Sequence, residues 1–124
     1  MALGSRVVSE QMSLIIENPT IQLFTSSELL EELTETLAKP RLQKYLTRER
    51  TKHLFDLIWI KTKLQHVSIN LQLCRDPKDN FIINLATEAN TTHIITGDND
   101  LLVLNPIDQI QVLTITDFLR LLHP

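Results

Sequence analysis

Between Cys74 and Leu104 the chain reads CRDPKDNFIINLATEANTTHIITGDNDLLVL, with aspartates in two pairs, Asp76/Asp79 and Asp98/Asp100. A helical pattern and a β-rich run separate the pairs. Thr91–Thr96 (TTHIIT) is β-branched and apolar, which predicts a buried strand, and Gly97 closes it. Asp76-Pro77 predicts a helix start, a capping aspartate followed by proline at the first helical position. Ile82, Leu85, Ala86 and Ala89 recur at helical spacing, so Asp79–Ala89 is expected to be an amphipathic helix. Asp79 falls in its first turn, where the helix dipole favours an anion. In open α/β sheets ligands bind outside the carboxyl ends of the strands, and Asp98 and Asp100 directly follow such an end. A helix packed beside that strand would bring both acidic pairs to one edge of the sheet.

Carboxylates gathered in one place repel each other. A hard divalent cation with oxygen ligands is the usual way to offset that repulsion. Spacing alone leaves a plainer alternative open, in which Asp76 is only a cap and Asp98 and Asp100 only turn residues.

With 124 residues the chain is expected to be one domain, residues 1–124, around a single core. A hydrophobic content of 43% with 22% charged residues is that of a globular protein rather than a disordered one. No apolar run approaches the ~20 residues of a membrane span. MALGSRVVSE lacks the apolar core of a signal peptide. Cys74 has no partner for an internal disulfide, which points to the reducing cytoplasm. The net charge of −3 conceals an asymmetry: Lys39–Lys63 carries +6 and the remainder −9. A basic segment beside an acidic metal site suits a nuclease, since the cations would hold phosphates. A solvated helix face is the alternative meaning of such a run.

Taken in order, Arg6–Asn18 is expected to be a helix, with Val8, Met12, Ile15 and Ile16 on one face, broken at Asn18-Pro19. Ile21–Thr25 is a predicted strand. Thr25–Glu28 has capping-box spacing and opens a helix faced by Leu29, Leu30, Leu33 and Leu37, which Pro40 ends. Leu42–Leu46 is a further candidate helical turn. Thr47 is expected to cap a helix reaching about Leu64, lined by Leu54, Leu57, Ile58 and Lys61, with Trp59 packed at its edge. His66–Ile69 and Gln111–Ile115 are predicted strands, and Thr116 a cap for a last helix with Phe118, Leu119, Leu121 and Leu122 apolar. His53, His66 and His93 show no metal-ligand spacing. Helices alternating with strands predict βαβ units and a parallel, three-layer α/β/α sandwich.

DPKDNFIINLATEANTTHIITGDNDLLVL resembles the C-terminal half of a PIN domain, in the branch assigned to toxins of toxin–antitoxin pairs. Asp-Pro-x-Asp-Asn, a helix ending in small residues, and a strand running into Thr-Gly-Asp-x-Asp-Leu-Leu all match, and the likeness extends over about residues 7–120 through SSELLEELTETLAKPRL. The resemblance implies an endoribonuclease that gathers acids around Mg²⁺ or Mn²⁺. It implies Glu32, Asp79 and Asp98 as catalytic metal ligands and Asp100 as a further ligand, with Glu31 competing for the place of Glu32. Asp76 is implied as an accessory acid or cap, and Thr96 as a partner for a metal-bound water or carboxylate. Lys39, Arg41, Lys44, Arg48, Arg50 and Lys52 are the candidate RNA contacts. An RNA substrate and a cognate antitoxin are the implied partners.

PIN domains open with an apolar strand ending in Asp-Thr-Asn, the middle strand of a parallel sheet ordered 3-2-1-4-5, and this sequence has no such segment. The chain is therefore expected to be short by that strand, with a gap between the strands at 21–25 and 91–96 and weakened metal binding. An unpaired edge invites another segment or a second copy, so a homo-oligomer is expected. A PIN-fold protein that binds an antitoxin or RNA without cleaving it is the second reading. A phosphohydrolase of haloacid-dehalogenase type is the third, on the likeness of GDND to that family's acidic loop.

Overall fold

The structure, a computed structural model, describes residue 11, residues 13–40 and residues 47–123. The chain divides into two compact units, Met1–Leu64 and Gln65–Pro124. The expected turn at Leu42–Leu46, and the expected helix from Arg6 up to residue 10 and at Met12, lie outside the described residues.

In the first unit, residues 13–16 are helical. Asn18 closes the Asn-Pro turn, its Oδ1 accepting from the backbone N–H of Thr20 at 2.9 Å. Strand β1 is Leu23–Thr25 and helix α1 is Ser27–Leu37. The cap of α1 is Ser26 rather than Thr25: its Oγ accepts from Leu29 N at 3.1 Å. Thr25 is unavailable because it belongs to β1, paired with Leu64. Helix α2 is Arg48–Lys61, and Thr47 caps it as expected, accepting from Arg50 N at 3.1 Å. The helix does not reach Leu64. Thr62 turns to extended backbone, its hydroxyl takes the Ile58 carbonyl, and strand β2 (Thr62–Leu64) begins there. A β-branched side chain that satisfies a helix-end carbonyl provides the exit. β1 and β2 pair in parallel, Leu23 opposite Thr62 and Thr25 opposite Leu64. Trp59 is 87% exposed and does not pack at an edge of α2.

In the second unit a single 3₁₀ turn, Pro77–Asp79, leads into helix α3, Asn80–Glu88. Strand β3 is His93–Ile95, helix α4 is Asn99–Leu102, strand β4 is Gln111–Leu113 and helix α5 is Ile115–Leu122. β3 and β4 pair in parallel, Ile94 opposite Val112. The cap of α5 is Thr114, not Thr116, because β4 ends at Leu113 and the Thr114 hydroxyl accepts from Asp117 N at 3.2 Å. The core is Ile83, Leu101 and Val112, 0–2% exposed, joined by Ala86, Ile94, Ile107 and Ile110. Ile83, not the half-buried Ile82, is the deepest residue of α3. The strand pairings are thus parallel and helices precede or follow each strand, the expected α/β class; among the described residues four strands form two sheets, β1–β2 and β3–β4.

His66–Ile69 is not a strand, and from Ser68 onward backbone donors of the chain go to side chains of α3. Glu88 accepts from Ser68 N at 3.0 Å, Asn84 from Leu71 N at 2.8 Å and Asn80 from Cys74 N at 2.8 Å. Residues 80, 84 and 88 stand one above another on a helix, spaced ~6 Å apart along its axis. The chain from 68 to 74 runs antiparallel to them and advances roughly 2 Å per residue, short of the ~3.3 Å of a strand. Asn80 and Asn84 are buried, so these bonds satisfy groups that would otherwise be costly to bury. Burial depth sets the expected mutational costs. Ile83→Ala should destabilise the protein by about 2–5 kcal/mol, and Trp59→Ser by less than about 0.5 kcal/mol, as read by urea denaturation.

Candidate metal centre

The path from Asp79 to Asp98 is one helix up and one strand back. α3 ends in a Schellman closure: Asn90 takes the left-handed conformation (φ 54°), Asn90 N bonds the Thr87 carbonyl at 3.2 Å, and Thr91 N bonds that of Ala86 at 3.0 Å. The chain then reverses into β3. Nine helical residues rise ~14 Å, a distance that about four extended residues recover. The start of α3 and the end of β3 therefore lie at one edge, and their acids meet there.

Asp98 is held locally on both sides. Its N–H donates to the Thr96 hydroxyl at 3.1 Å, and its Oδ1 accepts from Asp100 N at 2.9 Å, capping α4. Thr96 is itself fixed to β4 through the Leu113 carbonyl at 3.0 Å. One carboxylate oxygen from each of Asp79, Asp98 and Asp100 lies within 4.8 Å of the others, all three side chains partly open to solvent. A Mg²⁺ ion with oxygen ligands at ~2.1 Å spaces those ligands ~3 Å apart at right angles and ~4.2 Å across. The trio fits a hard cation with a small side-chain adjustment, and its open side leaves room for waters.

The acids are under electrostatic tension. Burial, a hydrogen bond to the Asp98 carboxylate, and the charges of Asp98, Asp76 and Asp100 push the Asp79 carboxyl up to about 6. Burial, and then the charges of Asp79, Asp98, Asp100 and Asp76, raise the Cys74 thiol above its ordinary value, which keeps it protonated and unreactive. Asp76 is exposed; its carbonyl accepts from Asp79 N at 3.0 Å, which forms the 3₁₀ turn.

Glu31 and Glu32 lie exposed on α1 of the N-terminal unit. Lys39, Arg48, Arg50 and Lys52 are exposed as well; Arg41 and Lys44 lie outside the described residues. Lys52 pairs with Asp56 at 3.0 Å, an open i,i+4 contact too weak to withhold it from a phosphate. The residues that the sequence reading passed over are Asn80, Asn84 and Glu88. Their signal was present as polar acceptors at i, i+4 and i+8 inside an otherwise apolar helix.

The sign of the pH dependence follows from Asp79. Its folded-state value lies above the ordinary carboxylate value, so the folded protein holds this proton more tightly between about pH 4 and 6. The stability that this group contributes is complete below that window and is lost as pH rises through it. Cation binding runs the other way, because the ligand must be ionised. Calorimetric Mn²⁺ affinity should be constant above about pH 7 and fall roughly tenfold per unit below 6, a dependence that Asp79→Asn should flatten.

The PIN domain family model matches residues 5–100. The uncharacterized protein MJ1680 of Methanocaldococcus jannaschii is 35% identical over 99 residues, which cover 75% of this chain. This chain spans 59% of the length of that relative. No solved structure matches. Divalent cations on clustered carboxylates are typical of PIN domains, and the family match covers both the α1 glutamates and the aspartate trio. On that match, with the resemblance read from its motifs, the chain belongs to the PIN-domain family.

Proposed function

We propose that this protein is a metal-dependent endoribonuclease that hydrolyses RNA phosphodiesters with Mg²⁺ or Mn²⁺, the toxin partner of a toxin–antitoxin pair. The observation that carries the reading is the trio Asp79, Asp98 and Asp100, with their ligand atoms within 4.8 Å of one another. Asp79 and Asp98 would be the catalytic ligands, with Asp100 assisting. Glu32, by the family pattern, would be the further acid, with Glu31 as its competitor. A cation held there lowers the pKa of a bound water and stabilises charge developing on the phosphate. Asp98, tied down by Thr96 and by its own cap bond, would keep its ligand geometry during that step. The exposed cations Lys39, Arg48, Arg50 and Lys52 would hold the flanking phosphates. RNA, an antitoxin and a second copy of the chain are the proposed partners, and the cytoplasm the proposed location. No helix among the described residues is long and apolar enough to cross a membrane.

The test is cleavage of a mixed RNA pool with Mn²⁺. Cutting should stop in EDTA, and Asp98→Asn should lower the rate by at least ~100-fold, beyond the loss typical of an outer-shell change. Undiminished cutting in EDTA would sink the metal reading, and RNA bound but never cut would sink the catalytic one. Separately, Arg48→Ala and Arg50→Ala should each weaken RNA binding without sequence preference. Each should also reduce the slope of log affinity against log salt by about 0.7, measured by fluorescence anisotropy.

A further inference from the structure

Asn80 is 5% exposed, and both ends of its amide are engaged. Oδ1 accepts from Cys74 N at 2.8 Å, and Nδ2 donates to Gln72 Oε1 at 3.3 Å. The bond to Cys74 closes a loop from residue 74 to residue 80. Asp76 and Asp79 ride on that loop, folded by the bond from Asp79 N to the Asp76 carbonyl at 3.0 Å. Asp98 and Asp100 come from a different element, the turn after β3, and have their own local supports. The separation of Asp79 from the other two acids therefore depends on how the 74–80 loop is closed. One helical turn on, Asn84 makes the same kind of bond, to Leu71 N at 2.8 Å, and is equally buried at 6% exposure. No acid of the trio lies between Leu71 and Cys74. The two asparagines are a matched pair that differ in what they anchor.

We infer that Asn80 is a positioning residue for the metal centre: by closing the 74–80 loop it sets Asp79 against Asp98 and Asp100, while Asn84 anchors only the segment behind it. The inference rests on the reading of the trio as a metal site. Removing the Asn80 side chain frees the Cys74 N–H and lets the loop open, so the cation loses a prepositioned ligand. Outer-shell changes of this kind cost about 10–100-fold in metal affinity.

The experiment compares Asn80→Ala with Asn84→Ala in the full chain. It measures Mn²⁺ affinity by calorimetry, melting temperature, and amide exchange at Cys74 and Leu71 by NMR. Both variants should lose comparable stability. Asn80→Ala should expose the Cys74 amide and weaken Mn²⁺ binding by about 10–100-fold. Asn84→Ala should expose the Leu71 amide and leave affinity unchanged. Equal loss of affinity in both variants, or none in either, overturns the inference while leaving the metal site standing. A wild-type chain that takes up no Mn²⁺ overturns both. Where Asn80→Ala fails to fold, Asn80→Asp, which keeps an oxygen acceptor for the Cys74 N–H, carries the test. A protected Cys74 amide with retained affinity supports the inference, and a protected amide with lost affinity refutes it.

Discussion

The burial of Ile83 is the contact on which the C-terminal unit depends. It is fully buried in a core with Leu101 and Val112, so the rotational phase of α3 against the β3–β4 pair has little freedom. Asp79 is the N-cap of α3, so that packing also fixes where the start of the helix lies. The Schellman closure at Asn90 then fixes where the strand returns. An acid at the start of a helix and another at the end of the next strand are brought together by the packing of apolar side chains between them, in spite of their mutual repulsion.

Burial first, then the hydrogen bond to Asp98 and that repulsion, raise the Asp79 carboxyl. Asp98 has local backbone support through Thr96 and Asp100, whereas Asp79 carries the raised carboxyl. Burial, and after it the nearby acids, also raise the Cys74 thiol above its ordinary value.

Polar side chains in α3 do work usually left to a sheet. Glu88, Asn84 and Asn80 accept from the backbone N–H groups of Ser68, Leu71 and Cys74, so this stretch runs along the helix without pairing as a strand. Glu88 is held below its ordinary carboxylate value by the two bonds from Ser68, the sign of an acceptor that prefers its charge. The pattern explains why an amphipathic helix tolerates two buried asparagines.

Features governed by neighbours in sequence were legible from the amino acids. Thr47 as a cap, the break at Asn18-Pro19, the strand in TTHIIT and the acids flanking it all follow from local rules of propensity and turn chemistry, which need no partner to operate. The family likeness followed from the same acidic motifs. Where two local solutions competed, the fold chose. Ser26 displaced Thr25 as a cap because Thr25 was claimed by the β1–β2 ladder, and Thr114 displaced Thr116 because β4 ended early. β2 at Thr62–Leu64, rather than at His66–Ile69, was decided by which backbone groups found partners across the chain. The meeting of Asp79 with Asp98 and Asp100, and the shared charge that moves Asp79, are likewise tertiary. Sequence spacing supplies the carboxylates, but only a packed helix–strand pair brings groups nineteen and twenty-one positions apart to within 4.8 Å.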